Sequence, residues 1–226
     1  MKKIFVLAIA AIAGMECFGQ SLDINLDYNS NGSGRLATTD AIEKIDLISC
    51  TDPEWDWSQY DEKTGKALVT KKGLELESKK DAYCLTYCEL PIGMTDDNFA
   101  VRFVMSPSEI SDDKPFGIVY DVENESNYRM LLVMKKSFQV LTVKGGEAAV
   151  AKKGVYKSKN KSKQTEIDLV REKDKIYFFI NGLELLKMSS PKMENPMFGF
   201  VVAPKAKMIC ESFGFKRHTP QTEDEE

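Results

Sequence analysis

The chain has 226 residues, 42% of them hydrophobic and 29% charged, with a formal net charge of −4. That mild acidity argues against nucleic acid, which is held by basic patches that displace counterions. The single histidine is His218, in the C-terminal tail, so neither a Ser-His-Asp triad nor a histidine-rich metal site fits the body of the chain.

Residues 1–19 read as a secretory signal. Lys2 and Lys3 form a positive start, and Ile4 to Ala13 is an unbroken apolar run, too short to span a bilayer. Cys17 and Gly19 are small residues at positions −3 and −1 of a cut before Gln20. A lipid anchor on Cys17 is disfavoured, because Glu16 stands where a small residue is needed. The expectation is an exported chain, periplasmic or extracellular, with no membrane span. Cleavage would remove Lys2, Lys3 and Glu16 and move the formal charge to −5.

Residues 20–44 are a polar linker rich in Asn, Ser, Gly and Asp. Asp27, Asn29 and Asn31, followed by Gly32, match the start of a calcium loop. The twelfth position, Thr38, is no bidentate carboxylate and Asp40 falls two residues late, so calcium is a weak expectation and no other cofactor is indicated. Thr39 or Asp40 would cap a short helix at Ala41–Lys44.

From Ile45 the pattern is strand after strand. The expected strands are Ile45–Ser49, Ala67–Thr70, Leu74–Glu77, Tyr83–Leu90, Phe99–Met105, Phe116–Val122, Tyr128–Met134, Phe138–Val143, Glu166–Val170, Ile176–Ile180, Glu184–Met188, Phe198–Val202 and Met208–Lys216. Turn signals such as Lys72-Gly73, Lys144-Gly145-Gly146 and Asn181-Gly182 separate them. Asn-Gly suits a type I′ turn, whose two central residues need positive φ. No amphipathic helix of useful length interrupts this pattern, so residues 45–217 form one all-β domain, a sandwich or barrel. The strands YRMLLVM (Tyr128–Met134) and IYFFI (Ile176–Ile180) are apolar on both faces. A second apolar face implies cover by loops or a ligand surface. Lys157, Lys159, Lys161 and Lys163 read as a solvated loop, and residues 218–226 as an acidic, disordered tail.

Cys50, Cys84, Cys88 and Cys210 follow the signal. Cys84 and Cys88 share a strand whose four-residue rise of ~13 Å exceeds the disulfide limit of ~7 Å. They should share one face as small core residues. Cys50 and Cys210 would meet if the two terminal strands are neighbours. A zinc site of all four is disfavoured, because C-x3-C on a strand does not bring two thiolates to one metal.

Four segments carry a family resemblance: FGIVYDVENESNYRMLLV (Phe116–Val133), TEIDLVREKDKIYFFINGLEL (Thr165–Leu185), MFGFVVAP (Met197–Pro204) and ESFGFK (Glu211–Lys216). Together they resemble the concanavalin A-like jelly-roll superfamily. They are most similar to its secreted bacterial 3-keto-disaccharide hydrolase-like and laminin-G-like domains. The resemblance covers about residues 45–216 and implies a two-sheet antiparallel jelly-roll sandwich, with sugars held on the concave sheet in members that bind them. Fold does not carry function by itself.

Glu166-Ile167-Asp168-Leu169-Val170-Arg171 looks like the E-I-D-x-x-E strand motif of retaining glucanases on this fold, which lines up two carboxylic acids along a cleft. Here Arg171 replaces the second glutamate, which removes the general acid. An ordinary strand, with Glu166 and Asp168 in solvent, is the plainer reading. Trp55 and Trp57, beside Asp56, either stack on sugar or pack over the sandwich edge. Tyr120, Asp121, Asn127 and Arg129, with Tyr177 and Phe179 as a stacking platform, form a candidate ligand site; cross-strand pairs and core aromatics are its structural counterpart. The expected function is a secreted, non-catalytic module binding a glycan or polysaccharide. One alternative is a glycoside hydrolase-like enzyme using Glu166, Asp168 or Asp121. The other is a cell-envelope component with a protein partner.

Overall fold

The computed structural model describes Ile42 and residues 45–92, 98–157, 163–189 and 193–217. The signal, most of the linker with Asp27, Asn29 and Asn31, and the tail with His218 lie outside them. Of the short helix expected at Ala41–Lys44, only Ile42 is described, and it is helical.

Among the described residues fifteen strands follow in chain order: β1 (Ile48–Ser49), β2 (Tyr60–Asp61), β3 (Gly65–Thr70), β4 (Gly73–Ser78), β5 (Cys84–Glu89), β6 (Asn98–Pro107), β7 (Phe116–Asn124), β8 (Asn127–Val133), β9 (Ser137–Lys144), β10 (Glu147–Val155), β11 (Thr165–Glu172), β12 (Lys175–Ile180), β13 (Leu183–Ser189), β14 (Met197–Val202) and β15 (Lys207–Arg217). They make two sheets. The larger has nine strands, in the order β13-β12-β11-β6-β15-β4-β3-β2, with β1 added to β15; the smaller runs β10-β9-β8-β7-β14-β5. Every pairing is antiparallel. The all-β sandwich expected from strand spacing is therefore present.

Two strands escaped the sequence pattern. β2 is two residues long. β10 is an edge strand, and its side chains are mostly exposed. Without a buried face, it has no reason to alternate apolar with polar residues.

The core lies between the sheets, fed by alternate residues of each strand. Phe99, Val101, Phe103 and Met105 of β6, and Ile176, Phe178 and Ile180 of β12, meet Phe116, Ile118 and Tyr120 of β7 and Phe198 and Phe200 of β14. Edge-on ring pairs cross the interface: Phe103 with Phe200 at 5.2 Å and 82°, Phe99 with Phe198 at 5.9 Å and 86°. Cys84 and Cys88 both join this core, as their shared face required.

The Asn-Gly turn between β12 and β13 has the expected geometry, with φ of 49° at Asn181 and 75° at Gly182. It also ties into the preceding strand, β11. The Asn181 amide donates to the Glu166 carbonyl, and the Glu166 amide donates to Asn181 Oδ1, both at 2.9 Å.

Candidate functional site

The residues singled out from sequence do not converge on one place. Tyr120 lies between the sheets, 3% exposed, with its ring 5.7 Å from that of Phe178. Trp57 is buried against Phe200 and Phe213, at 5.5 and 5.1 Å. Trp55 packs edge-on against Phe213 at 4.8 Å. Both tryptophans therefore take the packing role. Aromatic rings in a two-layer sandwich are most stabilising where the layers need filling.

Tyr177 and Phe179 alternate with Ile176, Phe178 and Ile180, so they stand on the outer face of the nine-stranded sheet. There they form a small apolar cluster with Ala100 and Val170, and Ile42 and Ile45 pack onto it. Phe179 is 7% exposed. The segment leading into β1 thus crosses this face. It passes so near Gly214 that an added Cβ there would run into the Asp46 carbonyl oxygen. The Lys187 ammonium lies 5.0 Å from the Tyr177 ring centre.

Asp121 and Arg129 do come together. Asp121 sits in a bulge of β7, where the register with β8 breaks between Tyr120 and Asn124, and has φ of 51°. Its Oδ1 accepts the amides of Glu194 and Asn195 at 2.8 and 2.9 Å, and its Oδ2 lies 2.9 Å from Arg129 Nη1. This carboxylate anchors the loop before β14. Asn127 is spent on the neighbouring turns: its Nδ2 donates to Asn124 and its Oδ1 accepts the Gly145 amide.

The EIDLVR strand is equally committed. β11 pairs without interruption to β6 and β12, so Glu166 and Asp168 share the outer face while Arg171 falls on the inner side. Asp168 is fully buried and takes a two-pronged contact from Arg102, Nε to Oδ1 at 2.7 Å and Nη2 to Oδ2 at 3.2 Å. Burial pushes its carboxyl above the usual range, and the guanidinium opposes that rise. The expected solvated Asp168 is thus corrected: the cross-strand Arg102 supplies the counter-charge that lets it be buried. Glu166, partly exposed, lies 4.0 Å from the same guanidinium. Arg171 is buried, with Nε donating to the Lys173 carbonyl at 3.3 Å.

The outer side of the six-stranded sheet carries a further apolar cluster of Val119, Met130, Leu132, Leu141 and Val201, none more than 2% exposed, with Tyr128 also buried at 3% and Tyr83, Leu85 and Tyr87 partly exposed beside it. The register sets Tyr87 opposite Gly199, and Gly199 opposite Val119. Gly199 is buried, and a Cβ there would run into the Thr86 carbonyl and the Tyr87 backbone, so β14 needs glycine to lie this close to β5. Burial raises the hydroxyl pKa of all three tyrosines, to about 12 for Tyr128, so each is a neutral phenol near pH 7. Glu125, on the β7–β8 turn, acts on Tyr87. The signal for this face was present in YCLTYCEL. If Cys84 and Cys88 point inward, Leu85 and Tyr87 must point outward.

Among the described residues, no three His, Cys, Asp or Glu side chains converge as metal ligands, and no helix is long and apolar enough to cross a membrane. No family model matches the chain, and no curated protein matches it. Solved structures do. A Bacillus subtilis protein of unknown function with a galectin-like fold superposes with a TM-score of 0.56 at 14% identity, covering 76% of this chain and 94% of that one.

The fold is a galectin-like jelly roll.

The exoplasmic/lumenal domain of VIP36, in a form bound to Ca2+ and Man3GlcNAc, gives a TM-score of 0.53 at 7% identity, covering 79% of this chain and 92% of the other. A sialidase gives 0.52 at 12% identity, covering 76% of this chain but 18% of its own length. At such identities the likeness is one of fold. The shared fold is the two-sheet antiparallel sandwich expected from the four motif segments.

Proposed function

We propose that this jelly roll is a non-catalytic binding module for a glycan, and that the glycan lies on the outer face of the six-stranded sheet. The observation that carries the reading is the pair Tyr83 and Tyr87, in phase along the same strand segment and partly exposed on that face beside a buried apolar cluster. Sugar rings present C–H faces that stack on tyrosine rings and hydroxyls that pair with a neutral phenol.

The absence of catalysis is supported by the fate of the carboxylates. A retaining glycosidase needs two free carboxyl groups ~5 Å apart, an inverting one ~6.5–9.5 Å. Asp168 is closed by Arg102, Asp121 is filled by two amides and Arg129, and Arg171 stands in the place of a general acid. A glycoside hydrolase-like enzyme acting through Glu166 is the second reading; Asp168, the next residue along Glu166's face of the strand, is closed by Arg102.

Calorimetry against a panel of neutral polysaccharides, run beside a reducing-sugar assay, tests both. Binding without release of reducing ends supports the module, and Tyr87→Ala should abolish that binding while leaving the thermal midpoint within a few degrees. Hydrolysis, or binding unaffected by Tyr87→Ala and Tyr83→Ala, overturns it.

A further inference from the structure

Cys50 and Cys210 are neighbours on adjacent antiparallel strands. β1 pairs with β15 through Ile48–Phe213 and Ser49–Ser212. One residue further, the Cys50 amide donates to the Glu211 carbonyl at 2.9 Å. Cys210 is the next residue of β15, at the bulge where its register against β6 shifts. Both side chains point inward: Ile48 packs on the inter-sheet core and Cys50 is two residues on, while Cys210 pairs with the core residue Met105. Both cysteines are 0% exposed and stand as free thiols in the structure. Paired strands run ~4.8 Å apart, so residues opposite or one place off lie within the ~7 Å Cα limit for a disulfide.

We infer that Cys50 and Cys210 form a disulfide in the exported protein, an inference that rests on the signal reading and not on glycan binding. The two thiols give up two protons and two electrons as one S–S bond forms, and the electrons reduce the disulfide of a thiol–disulfide oxidoreductase or of glutathione to two thiols. The other cysteines are placed against it. Cys84 and Cys88 are four residues apart on β5. Cys88 is near enough to Cys50 to act on it electrostatically, but it belongs to the other sheet, ~10 Å across the sandwich. Burial pushes both the Cys50 and Cys210 thiols well up, so no thiolate is available once the domain has closed. The bond must form as β1 docks on β15 during folding. It then fastens the segment that covers Phe179 and Ala100 to the last strand, closing a loop around nearly the whole domain.

The test is to refold the reduced full chain in a glutathione redox buffer, alkylate it in denaturant and map the peptides by mass. Of the five cysteines, Cys17, Cys84 and Cys88 should be alkylated, and Cys50 and Cys210 should appear as one cross-linked pair. Dithiothreitol should lower the thermal midpoint of the oxidised protein by on the order of 10 °C. That shift should persist in Cys84→Ala and Cys88→Ala and vanish in Cys50→Ala and Cys210→Ala. Five alkylated thiols in the folded protein, or a cross-link between any other pair, overturns the inference. Because the buffer supplies the oxidant, that result would count against the disulfide and leave both export and glycan binding standing.

Discussion

At the scale of single residues, two buried carboxylates are held in different ways. Asp168 depends on one partner, Arg102. Removing that partner leaves an uncompensated charge in a fully buried site, which costs about 3–5 kcal/mol. Arg102→Met should therefore lower the urea midpoint sharply at pH 7. The pH dependence has a defined sign. Burial holds the Asp168 carboxyl above its unfolded value, and loss of the guanidinium raises it further. The folded variant then binds a proton that the unfolded chain does not, so its stability improves as pH falls from neutral toward 4. The deficit relative to wild type should be largest near pH 7 and shrink with acid. A deficit that is flat or grows with acid would contradict the assignment. Asp121 differs, since it serves two amides and an arginine from a left-handed backbone. Asn tolerates positive φ and keeps one acceptor oxygen, whereas Ala does neither. Asp121→Ala should cost about 2–4 kcal/mol by thermal unfolding and Asp121→Asn distinctly less.

At the scale of elements, the β12–β13 hairpin was fully legible, because Asn181-Gly182 names its own turn type and the flanking runs are apolar. Gly182 has open space where a Cβ would go, so Gly182→Ala strains only the backbone and should cost about 1 kcal/mol. Asn181→Ala also loses the bond to the Glu166 amide and should cost about 1–2 kcal/mol, read from the denaturant midpoint. Other elements were hidden for physical reasons. β10 has no buried face to impose alternation. The candidate site was less legible than the fold. Tyr120 and Tyr87 occupy similar-looking strands, and nothing local tells an inward tyrosine from an outward one. The neighbours decide it: Tyr120 shares its face with Phe116 and Ile118, and Tyr87 lies out of phase with Cys84 and Cys88. Nor could the sequence show that Arg102 would meet Asp168, because 66 residues separate them and only strand register brings them together.

At the scale of the whole molecule, β15 is the element on which the sandwich depends. The last strand in the chain lies in the middle of the larger sheet, bonded to β6 along Met208–Arg217 and, on its other side, to β4 over Lys207–Cys210 and to β1 over Ser212–Phe213. Without it the nine-stranded sheet falls into β13-β12-β11-β6 and β4-β3-β2, each losing one partner for its backbone amides and carbonyls, and β1 is left unpaired. Phe213, which packs against both tryptophans, would be lost with it. Because these contacts join the two ends of the chain, their loop-closure entropy must be met before they form, so the domain should fold slowly, in milliseconds to seconds. A chain ending at Ala206 should accordingly show no cooperative thermal transition and no near-ultraviolet circular dichroism, even though it keeps fourteen of the fifteen strands. Adding a synthetic peptide of residues 207–217 in excess should restore part of the dichroism by pairing with the exposed edges of β6 and β4. A truncated chain that still unfolds cooperatively would mean that the two halves of the sheet are independently stable, and that β15 joins them without being needed for either.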